Sequence, residues 1–361
     1  MFRRLSDRIL SRLWPGFAER TKRPQRPRTR GPVTHVIILD GTMSTLQPGE
    51  ETNVGLIYRL LSERGGADLS IYYEAGIQWQ TWRHGWDVIV GKGINRQIKR
   101  AYGYLASRYR PGDRIFFFGY SRGAFAVRSL AGVIDRVGLL KAEAATERNV
   151  ELAYRHYRAG AASEAADAFA EAFCHEHVQV EMIGAFDTVK ALGIRLPFIW
   201  MLTERSHEFH NLHLADCVKA GFHALACEET REAYEPLLWT SDEDWMGRLE
   251  QVWFAGTHGD VGGQLGGEEE ARGLSNIPLV WMLTQAEVCG LTLPEGWRAR
   301  YPTDVNAPSI GTWQGLGKLF LLRKRRVVGA DRSERLHETA VARGLRMPTV
   351  TPVIRRTQGA G

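Results

Sequence analysis

Apolar residues come along this chain in two rhythms. Short runs at 35–39, 69–73, 115–118, 178–186 and 251–255 are too brief for helices and predict strands. Between them the spacing changes to three or four residues. It does so over 51–63, over 94–109 (Ile98, Ala101, Tyr102, Leu105), after Ser121 (Phe125, Arg128, Ser129, Val133), over the alanine-rich 145–173, and over 275–289. Strands alternating with helices predict an α/β fold, a mostly parallel sheet covered by helices on both faces. The stretch 188–247 breaks the rhythm. It is rich in aromatics, with a helix expected near 215–235, and reads as a helical cap insertion over the sheet. The folded domain is expected over 34–345, after an arm (1–33) and before a tail (346–361).

Chemistry gathers where the strands stop. Four predicted strands end in a polar residue beside a turn: Asp40, Ser121, Asp187 and His258. In an open parallel sheet the carboxyl ends lie along one edge, where ligands bind, so these four should converge. Ser121 sits in Gly119-Tyr120-Ser121-Arg122-Gly123 between a strand and a helix. Gly-x-Ser-x-Gly in that setting is a nucleophile elbow, whose tightness demands small residues on both sides of the serine. The order Ser121, Asp187, His258 is that of α/β-hydrolases. His258 would take the serine proton and Asp187 would hold the imidazole.

The backbone N–H groups of Arg122 and Gly41 are the expected oxyanion donors. Asp40, Thr42 and Asp260 are supporting residues, Asp260 as organiser of the glycine loop 256–263. Rival assignments are Asp260 as the acid and His337 as the base, although His337 follows no predicted strand. Asp187 could instead simply cap the segment after its strand. The Asp40-Gly41-Thr42 turn would also suit an aspartyl phosphatase, but that chemistry needs an aspartate at position 38, which is Ile.

Composition narrows the field. The net charge of +6 is concentrated in residues 1–30, where ten Arg and Lys face only Asp7 and Glu19. The body is near neutral. Residues 2–17 place Phe2, Leu5, Ile9, Leu10, Leu13 and Phe17 near one helical face among arginines, a pattern that suits an anionic membrane surface. A second such patch is 313–326, where Leu316, Leu319, Phe320, Leu321 and Leu322 precede Arg323-Lys324-Arg325-Arg326. Aromatics are scarce among the basic residues of the arm, so nucleic acid is not an expected partner. No signal peptide and no apolar run long enough to span a membrane is read, which suggests a cytoplasmic protein, peripheral at most. Four scattered cysteines suit a reducing compartment. The glycine-rich loop around Gly76, Gly85, Gly91 and Gly93 lacks Gly-Lys-Ser/Thr and is no P-loop. His207, His210 and His213, with His175 and His177, lack acidic or cysteine partners at regular spacing. Neither metal nor cofactor is expected.

At these motifs the chain resembles the α/β-hydrolase domain shared with type VI secretion phospholipase effectors. The resemblance rests on 39–42, Thr52-Asn53-Val54, the 119–124 elbow, 186–189, 223–226 with Glu228-Glu229, and 253–263. It extends through 274–282 to His337-Glu338, covering roughly 34–343. It implies Ser121 as nucleophile, Asp187 as acid and His258 as base in carboxylic ester hydrolysis, with phospholipid as the substrate class. Met43-Ser44 stands where an aromatic-Asn pair is common, and Gln264 replaces the third glycine of the His loop. No large membrane-targeting extension of the effector type is read, so a secreted toxin role is not expected. The expectation is a lipase- or phospholipase-like serine esterase working through an acyl-enzyme. The alternative is a non-catalytic α/β-hydrolase fold used for binding or as a scaffold.

Overall fold

A computed structural model of the protein describes residues 30–76, 92–160, 163–189, 213–242, 245–313 and 322–346. Residues 1–29 of the basic arm, most of the glycine-rich loop, His207 and His210, Leu316, Leu319, Phe320 and Leu321 of the 313–326 patch and most of the tail lie outside the described residues.

The strands are β1 (Thr34–Leu39), β2 (Leu69–Glu74), β3 (Arg114–Tyr120), β4 (Met182–Phe186), β5 (Ala220–Ala226), β6 (Arg248–Phe254) and β7 (Glu334–Leu336). The helices are α1 (Asn53–Arg64), α2 (Lys92–Ala106), α3 (Arg122–Val137), α4 (Glu147–Ala159), α5 (Glu164–Phe173), α6 (His258–Gly262), α7 (Arg272–Val288) and α8 (Glu338–Ala342). Among the described residues the strands form one sheet in the order β2-β1-β3-β4-β5-β6-β7. Every pairing in it is parallel.

The two-residue alternation of the strands sorts the core into two layers. Ile37, Leu39, Ile115, Phe117, Ile183 and Ala185 face one side, where they meet α2, α3 and α4. Val36, Ile38, Phe116, Phe118, Met182, Phe222, Val252 and Phe254 face the other, with α1 and α7. Phe116, Phe117 and Phe118 are wholly buried, each contributing about 2–3 kcal/mol by removal from water. A strand buried on both faces reads as an unbroken apolar run, which is why β3 stands out in the sequence.

Two elements depart from expectation. The helix foreseen near 215–235 is replaced by β5, so part of the interval taken as a cap belongs to the sheet. Its sequence, Ala-Gly-Phe-His-Ala-Leu-Ala, has no β-branched residue, and Phe222 is its one strand-favouring side chain. Gly221 is closely packed: a Cβ there would lie 2.8 Å from Leu214 Cδ2. The buried His223 accepts the Thr188 N–H at 3.0 Å and faces Gln251 at 3.4 Å, and burial pushes its imidazole down to about 3. The second departure is β7, three residues at the sheet edge with no apolar run to announce them.

The chain passes from β1 outward to β2, then crosses back to β3. That reversal makes the β1/β3 crevice the switch point where open α/β sheets bind ligands. The strand ends there are nearly level, Leu39 opposite Gly119 and Tyr120 opposite Phe186.

Candidate active site

At the end of β3 the chain turns into α3 within a single residue. Ser121 has φ 56° and ψ −119°, a conformation that costs a non-glycine residue of order 1–3 kcal/mol. The turn is held by Ser121 N–H donating to the Phe186 carbonyl at 2.9 Å. Neither flanking glycine has room for a side chain. A Cβ on Gly123 would lie 2.0 Å from the Leu39 carbonyl oxygen, and one on Gly119 would lie 2.6 Å from Ala124 Cα. Both obstacles are backbone and cannot swing aside. Gly123→Ala should therefore lower stability by about 3 kcal/mol or more, read as a drop in the urea unfolding midpoint. A midpoint equal to wild type would show that the elbow is looser than this.

His258 opens α6, three residues of loop after β6. Its Nε2 lies 3.0 Å from Ser121 Oγ and its Nδ1 lies 2.5 Å from Asp187 Oδ2. The ring sits between two tyrosines, with centroids 4.9 Å from Tyr120 and 4.6 Å from Tyr234. Asp187 follows β4 at φ 42° and is wholly buried. Its Oδ1 accepts the Ala226 N–H at 3.0 Å and Arg326 Nη1 at 2.5 Å; Oδ2 accepts Arg326 Nη2 at 2.8 Å as well as His258. Burial alone would raise the Asp187 carboxyl. The Arg326 charge and hydrogen bonds, with those of His258, outweigh it and hold the carboxyl well below the usual range. Burial lowers the His258 imidazole, and the opposing pull of Asp187 and Glu229 does not fully restore it.

Ser121, Asp187 and His258, distant in sequence, are thus brought into one hydrogen-bonded chain. The other residues singled out from the sequence fall around it. Asp260 gathers the glycine loop: it accepts Thr257 N–H at 2.7 Å, Thr257 Oγ1 at 2.8 Å, Ser309 Oγ at 2.6 Å and Ile310 N–H at 3.0 Å. His337 caps α8 and stacks on Phe254 at 4.6 Å. Asp40 clamps the end of β1, accepting Thr52 Oγ1 at 2.8 Å, Tyr73 O–H at 2.7 Å and Gly41 N–H at 2.7 Å. Burial pushes its carboxyl up to about 6 against the pull of these donors. The Gly41 N–H, expected to face an oxyanion, is here given to Asp40. The Arg122 N–H, at the first position of α3, has no intrahelical acceptor.

The position departing from the family pattern, Gln264, bridges the two loops, donating to the Thr42 carbonyl at 3.1 Å and receiving Tyr120 O–H at 3.4 Å. Asn53 ties the His loop to α7, donating to the carbonyls of Val261 at 2.9 Å and Ser275 at 3.1 Å. Gly263, at φ 80°, packs so closely that a Cβ would lie 2.4 Å from Asn53 N.

Sequence reasoning missed several neighbours. Glu229 accepts the His258 N–H at 3.2 Å and pairs with Arg231 at 2.6 Å; only the Glu228-Glu229 pair hinted at it. Arg326 belongs to the basic end of the 313–326 patch, whose pattern suits a membrane surface. Its side chain is 4 % exposed and turned inward onto Asp187, because a buried carboxylate is a stronger partner than water-facing neighbours. Lys324 pairs with Glu235 at 3.2 Å, and Arg323 reaches Thr230 at 3.3 Å. The basic end of the 313–326 patch is thus largely committed to the protein, while Trp313 and Leu322 are exposed. Among the described residues no cluster of His, Cys, Asp and Glu could hold a metal ion, and no helix is long and apolar enough to cross a membrane.

A parallel sheet covered on both faces, with a strained serine at its switch point, defines an α/β-hydrolase-like protein. The chain belongs to the family described as the type VI secretion system phospholipase effector Tle1-like catalytic domain, whose model matches residues 34–285. It is 28% identical over 235 residues to the uncharacterized protein YEL023C of Saccharomyces cerevisiae, covering 57% of this chain and 32% of the relative. Two solved structures overlap more loosely. One, an uncharacterized protein from Pseudomonas aeruginosa, has a TM-score of 0.45 and 19% identity, covering 83% of this chain and 51% of that one. The other, the Tle1 effector bound to the VgrG spike of the type VI secretion system, has a TM-score of 0.36 and 20% identity, covering 65% and 51%. The chain thus spans about a third of the yeast relative and about half of each solved chain.

Proposed function

We propose that the protein is a serine hydrolase of the lipase or phospholipase type, cleaving carboxylic esters through Ser121, His258 and Asp187. The observation that carries this reading is the unbroken Asp187–His258–Ser121 hydrogen-bonded chain. Asp187 accepts a hydrogen bond from Nδ1–H, which keeps the proton on Nδ1 and leaves the Nε2 lone pair facing Ser121 Oγ. As Oγ attacks the ester carbonyl, Nε2 takes its proton. The Arg122 N–H and the N-terminus of α3 face the oxyanion that forms. His258 returns the proton to the leaving alcohol, an acyl-Ser121 remains, and water activated by the same imidazole releases the acid. Family membership supports phospholipid as the substrate. A purely binding role leaves the strained, hydrogen-bonded serine without a purpose.

The test is hydrolysis of a short-chain nitrophenyl ester and of a labelled phospholipid by wild type and His258→Ala. Turnover by wild type that His258→Ala loses supports the proposal; inert wild type on both substrates refutes it. A pH profile adds a sharper expectation. The imidazole must be neutral to act as base, so kcat/KM is retained above its pKa and lost as pH falls through it. Because burial depresses that pKa, the acid limb should have its midpoint below pH 6.5. A midpoint above this value would mean that another group controls the limb.

We further propose that the 1–30 arm contacts an anionic membrane surface. Deleting it should weaken liposome binding in a salt-dependent way; binding that ignores both deletion and salt refutes the contact.

A further inference from the structure

We infer that Arg326 is a positioning residue for the hydrolysis proposed above, locking Asp187 so that His258 keeps the orientation and tautomer the reaction needs. The inference rests on that reading and adds to it a residue from outside the family-matched stretch 34–285.

A carboxylate has about four lone-pair sites. On Asp187 they are taken by Ala226 N–H, both Arg326 terminal nitrogens and His258 Nδ1. The planar guanidinium matches the carboxylate with two parallel hydrogen bonds, which fixes the plane of the group as well as its place. The same guanidinium donates to the Ala226 carbonyl at 2.9 Å and to the Tyr234 carbonyl at 2.5 Å. Ala226 ends β5, and the Tyr234 ring lies against His258. One side chain therefore ties the acid, the strand beside it and the aromatic wall of the base into a unit.

The backbone delivers Arg326 to this place. The segment 322–324 runs antiparallel beside 230–232, with Glu232 N–H donating to the Leu322 carbonyl at 3.1 Å and Lys324 N–H to the Thr230 carbonyl at 2.7 Å. Arg323 and Lys324 make their own bonds on either side of this pairing. The segment is a strap that enters the site from the C-terminal part of the chain.

The charge acts in a definite direction. The groups facing His258 are Asp187, Glu229 with its partner Arg231, Arg326, Tyr120 and Tyr234. The two carboxylates favour the imidazolium and Arg326 disfavours it. Arg326→Gln removes the cation and leaves Asp187 without its neutralising partner, and both changes make the imidazolium easier to form. His258 should then titrate higher by about one pH unit. A role confined to filling space would leave that titration unmoved.

The experiment follows His258 by NMR through its imidazole titration in wild type, Arg326→Gln and Arg326→Lys, with kcat/KM against pH measured beside it. Arg326→Gln is expected to titrate about one unit higher and to lose roughly tenfold in kcat/KM, as for other partners that orient a reactive group from outside. Arg326→Lys keeps the charge but not the fork. It should titrate close to wild type while still losing activity, and it remains informative if Arg326→Gln does not fold. Titration and turnover equal to wild type in the folded variants overturn the inference. The titration needs no substrate, so an inert wild type would refute the hydrolase reading while leaving the link between Arg326 and His258 separately measured.

Discussion

Replacing Ser121 with alanine is expected to lower ester hydrolysis by about 10⁵–10⁶-fold, because members of a catalytic triad act as a unit and removing the nucleophile costs nearly as much as removing all three. The fold should survive. Ser121 makes its structural bond through the backbone N–H to Phe186, which alanine retains. Ser121→Gly gives a stronger test of the geometry. The serine sits at φ 56°, where glycine carries no penalty, so the glycine variant should be as inactive as alanine yet more stable by about 1 kcal/mol. Thermal melts of the three proteins, run beside the activity assay, check both statements. A glycine variant less stable than alanine would show that the elbow is not strained.

The second large effect is expected at Asp187. Asp187→Asn keeps the shape of the side chain but replaces an acceptor oxygen with a donor. If the amide nitrogen faces His258, the Nδ1 proton has no acceptor and the imidazole turns to the wrong tautomer; about 10⁴-fold in kcat is the loss known for such a change. If it faces Arg326, two donors meet head on. In either arrangement the guanidinium is left as a buried cation without its anion, and breaking such a pair costs about 3–5 kcal/mol. The variant should therefore lose turnover and melt lower, whereas Ser121→Ala loses turnover alone. An Asp187→Asn protein with wild-type melting would mean that Arg326 does not depend on Asp187.

The way these residues were legible follows from how each is encoded. Strand ends carry the site, and β1, β3, β4 and β6 announce themselves by apolar runs, so Asp40, Ser121, Asp187 and His258 could be placed on one edge from the sequence. The elbow glycines were legible for the same reason: a turn without room for a Cβ leaves a local signature. β5 was not, because a strand of three alanines, a glycine and a leucine, with one phenylalanine and one satisfied histidine, carries no β-branched residue and no alternation to mark it. Arg326 was beyond reach for another reason. It stands in Arg-Lys-Arg-Arg, where local composition says solvent, and only the tertiary fold reveals that one of the four faces a buried carboxylate. Gly41 shows the limit of inferring a role from a turn: whether its N–H faces a substrate or its own neighbour, Asp40, is decided by the direction of a single peptide.

The most direct measurement is the mass of the intact protein after treatment with a fluorophosphonate, which reacts only with a serine whose proton can be taken. A working Ser121–His258–Asp187 triad predicts one adduct per chain, mapped to Ser121 by peptide sequencing, absent in Ser121→Ala and strongly slowed in His258→Ala. Wild-type protein that stays unlabelled, or that is labelled at another serine, would contradict it.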